Sequence, residues 1–256
     1  MEGLAEFLEI SNEYLWHGLI VFLRTGAVVA LLPAFGEQAV PARIKLILAL
    51  SFTMIVAPAV EFSSFSNTPS DLAFLAMTEV ASGLIIGLGI RLFILALQTA
   101  GAIAAQSTSL SQLLGGAAVE PLAAIGYVLM FGGMALAVIA GLHIKAAELL
   151  ILSFEFLPIG RFAGGGDVGE WGTKQVSKAF ALAFTLSAPF ILVSVLYNLM
   201  LGVINKAMPQ LMVAFVGAPL ITAGGLFILC LAAPVMLAVW LQAFDQFLFN
   251  PFGNLP

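Results

Sequence analysis

The chain has 256 residues, of which 61% are hydrophobic and 9% charged, with a formal net charge of −5. A soluble domain carries charge on about a quarter of its residues and has no core large enough to hide this much apolar surface, so a water-soluble fold is excluded. Nine scattered Lys and Arg residues offer no phosphate-tracking surface, which excludes nucleic acid, and the single Cys230 excludes an internal disulfide or a cysteine metal cluster.

Residues 2–13 space Glu2, Glu6, Glu9 and Glu13 at intervals of four, three and four, with Leu4, Phe7, Leu8 and Ile10 between them. That period predicts an amphipathic helix entering the membrane or lying on its surface. No basic segment with a small-residue cleavage site precedes the first apolar run. Residues 14–32 are therefore expected to be a span rather than a cleaved signal peptide. Pro33 ends it, and Gly36, Pro41, Arg43 and Lys45 are expected to form the connecting loop. A second apolar run covers 44–60 and is closed by polar residues 61–71. The next, 72–105, is longer than one span needs even with tilt.

From 102 to 120 the chain turns small and polar: Gln106-Ser-Thr-Ser-Leu-Ser-Gln112, then Gly115-Gly116, with no charge before Glu120. This predicts an irregular segment at membrane depth, tolerated only where protein or a cavity satisfies its backbone. An ordinary interhelical loop and a flexible plug lining a pore fit the composition equally well. Residues 121–158 are apolar again but interrupted by His143, Lys145 and Glu148, as one long bent helix or two short ones. Residues 160–178 are the most hydrophilic stretch, with Gly164-Gly-Gly-Asp167 and Trp171. Runs 179–204 and 211–241 form a final helical hairpin around Asn205-Lys-Ala-Met-Pro-Gln210. The fold class is all-α, a polytopic integral membrane protein of long, broken helical hairpins without an internal repeat. Cys230, inside the last run, is expected to be a small buried hydrophobe.

Basic loop residues set orientation. Arg43 and Lys45 favour the cytoplasm for the first loop and place the acidic amino terminus outside. Counting 121–158 as one span also puts Lys206 in the cytoplasm; counting it as two reverses Lys206.

Arg24, Glu79, Arg91, Lys145 and Glu148 lie within or at the ends of apolar runs. A charge at the bilayer centre costs about 2.5–3.5 kcal/mol on insertion scales, which makes each a candidate functional residue. Structural pairing is the favoured reading, with Lys145 and Glu148, three apart, meeting on one helix face. Gly83-Leu-Ile-Ile-Gly87, with Gly89 beside it, fits close helix approach, within the chain or between subunits. Gly164-Gly-Gly-Asp167 matches the Gly-x-Gly-Asp element of intramembrane aspartyl proteases, but a second carboxylate at membrane depth is missing and a flexible turn is favoured. Two histidines, His17 and His143, cannot supply a His-Glu-x-x-His metal pair. The sequence predicts no enzyme, no cofactor and no metal.

One ordered set remains: Arg24, Pro33-Ala-Phe-Gly36, Val40-Pro-Ala-Arg43, Gly83 to Gly89, Ala100-Gly101, Gln106, Glu120-Pro121, Ser153-Phe-x-x-Leu-Pro158 and Met208-Pro-Gln210 with Gly217-Ala-Pro219-Leu. Over nearly the whole chain this resembles the FliR family, the flagellar members of the type III export-gate proteins, whose injectisome counterparts share the pattern. The resemblance implies a non-enzymatic subunit of a protein-export gate in the bacterial inner membrane, at the flagellar basal body. It implies assembly with FliP and FliQ, with FlhB and FlhA nearby, around a conduit for unfolded flagellar proteins. It further implies a FliP-like portion, 1–178, followed by a FliQ-like hairpin, 179–256, with hydrophobic runs that contact sister subunits as well as lipid.

The family's plug maps onto 106–120. Family members usually carry a glycine and bulky apolar residues after the glutamine. Here Ser107, Thr108 and Ser109 follow Gln106, leaving Leu110, Leu113 and Leu114 as apolar candidates, and Glu120 replaces the usual aspartate. Arg43, Lys45, Lys206, Pro209 and Gln210 map onto cytoplasmic turns. An injectisome gate subunit is the near alternative. A self-contained secondary transporter, with broken helices and midplane charges, is the distant one.

Overall fold

The computed structural model describes residues 2–61, 69–109, 124–162, 164–208 and 213–253. Among them the regular structure is helical: α1 (Glu2–Leu31), α2 (Ala42–Val56) followed by a short 3₁₀ turn (Ala57–Ala59), α3 (Pro69–Ser109), α4 (Ala124–Ile139), α5 (Leu142–Phe156), α6 (Gly165–Ala207) and α7 (Val213–Phe249). Among the described residues five helices are long and apolar enough to cross a membrane, and α4 with α5 qualifies together as a broken span. The chain is a polytopic membrane protein.

The breaks have local causes. α1 runs without interruption from its acidic end to Leu31, where Pro33 has no N–H to continue the ladder. The chain then folds back on the helix end: Gly36 N–H donates to the Leu32 carbonyl at 2.7 Å. A Cβ on Gly36 would lie 2.4 Å from the Ala30 carbonyl oxygen, so only glycine fits. Pro41, with φ −59°, caps α2. Arg43 and Lys45 are consequently in the first turn of α2 and not in the connecting loop, because proline preorganises the helix immediately after it. Lys45 Nζ reaches back to the Gly36 carbonyl at 2.9 Å.

The expected long-or-divided run at 121–158 is divided. Gly141 adopts φ +83°, a left-handed conformation that ends α4 and starts α5. Gly164-Gly-Gly-Asp167 is not a flexible turn: α6 begins at Gly165 and Asp167 lies in its first turn, where a carboxylate opposes the helix dipole. The hairpin helix expected from 179 thus starts at Gly165. Residues 102–109, expected to be irregular, are the last two turns of α3. Ala102, Ile103, Ala104 and Ala105 sustain the helix, and Ser107 Oγ donates back to the Ala104 carbonyl at 2.8 Å.

The chain divides into two compact units. One comprises Met1–Arg91, Val138–Gln175 and Asp245–Pro256, the other Leu92–Ala137 and Val176–Phe244. In the first, α1 and α3 pack tightly and in the same direction. A Cβ at Gly83 would meet the Arg24 carbonyl oxygen at 2.5 Å and Ala27 Cβ at 2.8 Å, and one at Gly87 would meet Leu31 at 2.8 Å. The small-residue motif therefore serves contact within the chain, where missing side chains let two backbones approach. Gly89 makes room for Trp171 and Phe247, and Phe252 makes tilted ring contacts with both Trp171 and Phe156. Trp171 Nε1 and Gln175 Nε2 both donate to the Pro251 carbonyl, which ties the carboxyl-terminal turn to the start of α6.

The second unit is built on Trp240, fully buried, with Nε1 donating to the Phe93 carbonyl at 2.8 Å and its ring stacked on Phe244. α3 and α4 touch at backbone level, since a Cβ on Gly101 would lie 2.2 Å from Gly126 Cα. Cys230 is exposed on α7 rather than buried, because a helix apolar on every side carries no signal of which side faces in.

Candidate functional site

Several charged residues of the first unit are joined in separate ion pairs. Arg24 and Glu79 are both fully buried. Arg24 Nε donates to Glu79 Oε2 at 2.8 Å, while Nη2 lies 2.7 Å from the same oxygen, an ion-pair contact without hydrogen-bond alignment. Arg24 Nη1 donates to the Ser153 carbonyl at 3.0 Å, and its guanidinium sits 3.8 Å from the centre of the Phe154 ring. The second carboxylate oxygen, Oε1, accepts from Gly160 N–H at 3.1 Å. Gly160 has φ +72°, and its left-handed turn presents that N–H to Glu79.

One buried ion pair thereby joins α1, α3 and α5 to the corner that precedes α6. The arrangement is structural in its chemistry: each charge is consumed by a fixed partner. Two further pairs follow. Arg91 engages Glu37 with both ends of its guanidinium, pinning the turn after α1 to α3. Lys145 Nζ reaches Asp245 at 2.7 Å. This corrects the expected Lys145–Glu148 pairing. The Asp245 carboxylate takes the ammonium, and Glu148 points away into an exposed position, as does His143. Glu37, Asp245, Ser153 and Gly160 were not legible as partners, because no short sequence spacing connects them to the charges they satisfy.

Polar groups of the second unit gather where α3 ends. Gln106 is exposed and Ser107 buried. The Ser107 carbonyl accepts from Ser194 Oγ on α6 at 2.6 Å, and the Asn198 side-chain amide donates to the Ser194 carbonyl and hydroxyl at 2.9 and 3.2 Å. About two and a half turns earlier on α3, Gln98 Nε2 contacts Met130 Sδ on α4. Thr108 and Ser109 continue the helix. Leu110, Leu113, Leu114 and Glu120 lie outside the described residues, as do Pro209 and Gln210. Lys206 is exposed in the last turn of α6, and Tyr197 Oη donates to the Gly217 carbonyl at 2.6 Å, joining α6 to α7 near that end.

Among the described residues no group of three His, Cys, Asp or Glu side chains is placed to hold a metal ion. Asp245 is engaged by Lys145, while Asp167 is exposed. The described polar groups anchor helices to one another and to the end of α3.

Residues 15–247 match the family model described as bacterial export proteins, family 1. The chain is 33% identical over 234 residues to the flagellar biosynthetic protein FliR of Caulobacter vibrioides, covering 90% of this chain and 93% of that one. It is 26% identical over 252 residues to the protein of the same name from Escherichia coli, covering 98% and 93%, and 28% identical over 244 residues to that of Aquifex aeolicus, covering 93% of each.

Proposed function

Because the chain belongs to family 1 of the bacterial export proteins and is a component of the flagellar export apparatus, we propose that it is the conduit subunit of that apparatus in the bacterial inner membrane, at the basal body. In this reading it assembles with FliP and FliQ subunits, with FlhB and FlhA nearby, and passes unfolded flagellar proteins. Residues 1–178 act as the FliP-like portion and 179–256 as the FliQ-like hairpin. The 106–120 segment is the plug, and the helix ends that carry Arg43, Lys45 and Lys206, together with Pro209 and Gln210, face the cytoplasm. Its role is to shape a passage, not to catalyse a reaction.

The supporting observation is a mismatch between apolar length and membrane thickness. The apolar part of α3, Ser70–Ser107, has 38 residues. At helical rise this is roughly 57 Å, nearly twice the hydrocarbon core of about 30 Å. Exposed apolar side chains run along α6 from Val176 to Ile204 and along α7 from Leu220 to Phe249. These rows reach roughly 42 and 44 Å, and the usual tilt of about 20° shortens them only slightly. Lipid cannot cover all of this surface, and water would penalise it at about 25 cal/mol per Å². Sister subunits with apolar helices supply the missing cover.

The reading is tested by purification from a cell that carries the flagellar genes. A stable, stoichiometric complex with FliP- and FliQ-like chains is expected. Recovery of this chain alone as a monodisperse species, while those chains purify separately, would refute it. For the plug, exchanging 106–114 for a shorter Gly/Ser segment is expected to make the assembled gate leak small ions; unchanged conductance would remove the plug from the proposal.

A further inference from the structure

The last turn of α3 carries a bond that its own helix does not supply. In the last described turn of α3 the Ser107 carbonyl accepts from Ser194 Oγ of α6 at 2.6 Å. Both side chains are buried, Ser194 at 3% exposure and Ser107 at 8%. A serine hydroxyl has one proton and two acceptor positions. The Asn198 amide occupies an acceptor position at 3.2 Å, which leaves the Ser194 proton directed at Ser107. Helical hydroxyls ordinarily bond back within their own helix. On α6, Thr173, Thr185 and Ser187 do so, to the carbonyls of Gly169, Ala181 and Phe184. Ser194 instead turns outward to another helix.

Building on the plug reading above, we propose that Ser194, oriented by Asn198, is a positioning residue that holds the last turn of α3, and with it the exposed Gln106, in the arrangement that blocks the conduit. The hydroxyl acts through a backbone carbonyl, so it fixes where the turn lies without contacting anything that passes. Its loss removes a hydrogen bond between two helices and leaves the apolar contacts of both intact. Movement of the turn is thus separable from folding.

The test uses membrane vesicles from cells that assemble the complete export apparatus, with resting ion conductance and the recovered amount of complex measured together. Losing a buried hydrogen bond of this kind shifts a two-state balance by about fivefold or more. Ser194→Ala is therefore expected to raise resting conductance at least about fivefold with the amount of complex unchanged. Asn198→Ala should raise it less, and Ser194→Thr, which keeps the hydroxyl, should stay at the wild-type level. Wild-type conductance in Ser194→Ala, beside a leak from the shortened 106–114 variant, would overturn the assignment while leaving the plug in place. Tightness of both variants would overturn the two together. Should Ser194→Ala fail to assemble, Asn198→Ala decides by the same comparison.

Discussion

Replacing Glu79 with glutamine keeps the shape of the side chain and removes its charge. Arg24 then stays fully buried with no counter-charge. The two short contacts to Oε2, at 2.8 and 2.7 Å, become contacts with a neutral amide, and if its NH₂ faces Arg24, donor meets donor. Breaking a buried pair by removing one partner costs about 3–5 kcal/mol. That is a large share of the roughly 5–15 kcal/mol that holds a typical fold together. Taking both charges away in Arg24→Met with Glu79→Leu should be milder, because no charge is left stranded. The residual cost of the double variant is the Gly160 N–H, which loses its acceptor at about 1–3 kcal/mol. The Ser153 carbonyl is protected, since Leu157 N–H also donates to it at 2.9 Å. Protease resistance and thermal unfolding of the detergent-purified complex, compared across wild type, the single variant and the double variant, read out this order. A Glu79→Gln variant within about 0.5 kcal/mol of wild type, or a double variant worse than the single, would refute the claim that the pair is a closed, desolvated anchor.

Three further outcomes follow from packing and exposure. Gly83→Ala places a Cβ 2.5 Å from the Arg24 carbonyl oxygen, a backbone atom that cannot swing aside, and should cost about 1–3 kcal/mol in the same unfolding assay. Gly202→Ala, with nothing within 4 Å on the exposed side of α6, should instead stabilise by up to about 1 kcal/mol; equal effects at both sites would show that α1 and α3 are not in backbone contact. Arg91→Ala removes a pair whose side chains are 27% and 21% exposed, so its cost should be about 1 kcal/mol and should shrink in high salt, checked by repeating the melt at raised ionic strength.

Several features of the candidate sites were legible in the chain and others were not. Pro33, Gly36 and Pro41 act locally, and the helix breaks they cause are where residue chemistry places them. Arg24 and Glu79 stood out because charge in an apolar run is costly wherever it sits. Their pairing to each other did not, since they lie 55 residues apart. Lys145 misled: Glu148 was near in sequence, yet the ammonium chose Asp245, 100 residues away. Gln106 to Ser109 read as irregular because serine and threonine favour turns in isolation, but the preceding alanines carry the helix through them, and the Ser107 hydroxyl is satisfied within it by the Ala104 carbonyl. Ser194 and Asn198 gave no signal at all. A serine and an asparagine one turn apart on an apolar helix are unremarkable until another helix end arrives beside them.

By itself the sequence determined the solvent, the helical class and the positions of most breaks. Each follows from composition or from the covalent limits of proline and glycine, which act within a few residues and need no tertiary partner. Only the tertiary structure decided which charges neutralise each other, that the glycines of α3 receive α1, and that the Ser107 carbonyl is held from α6. Those outcomes depend on which helix faces lie together. In helices apolar on nearly every side, hydrophobic pattern no longer marks the inward face, so the choice passes to backbone proximity and to the few polar groups that must find partners.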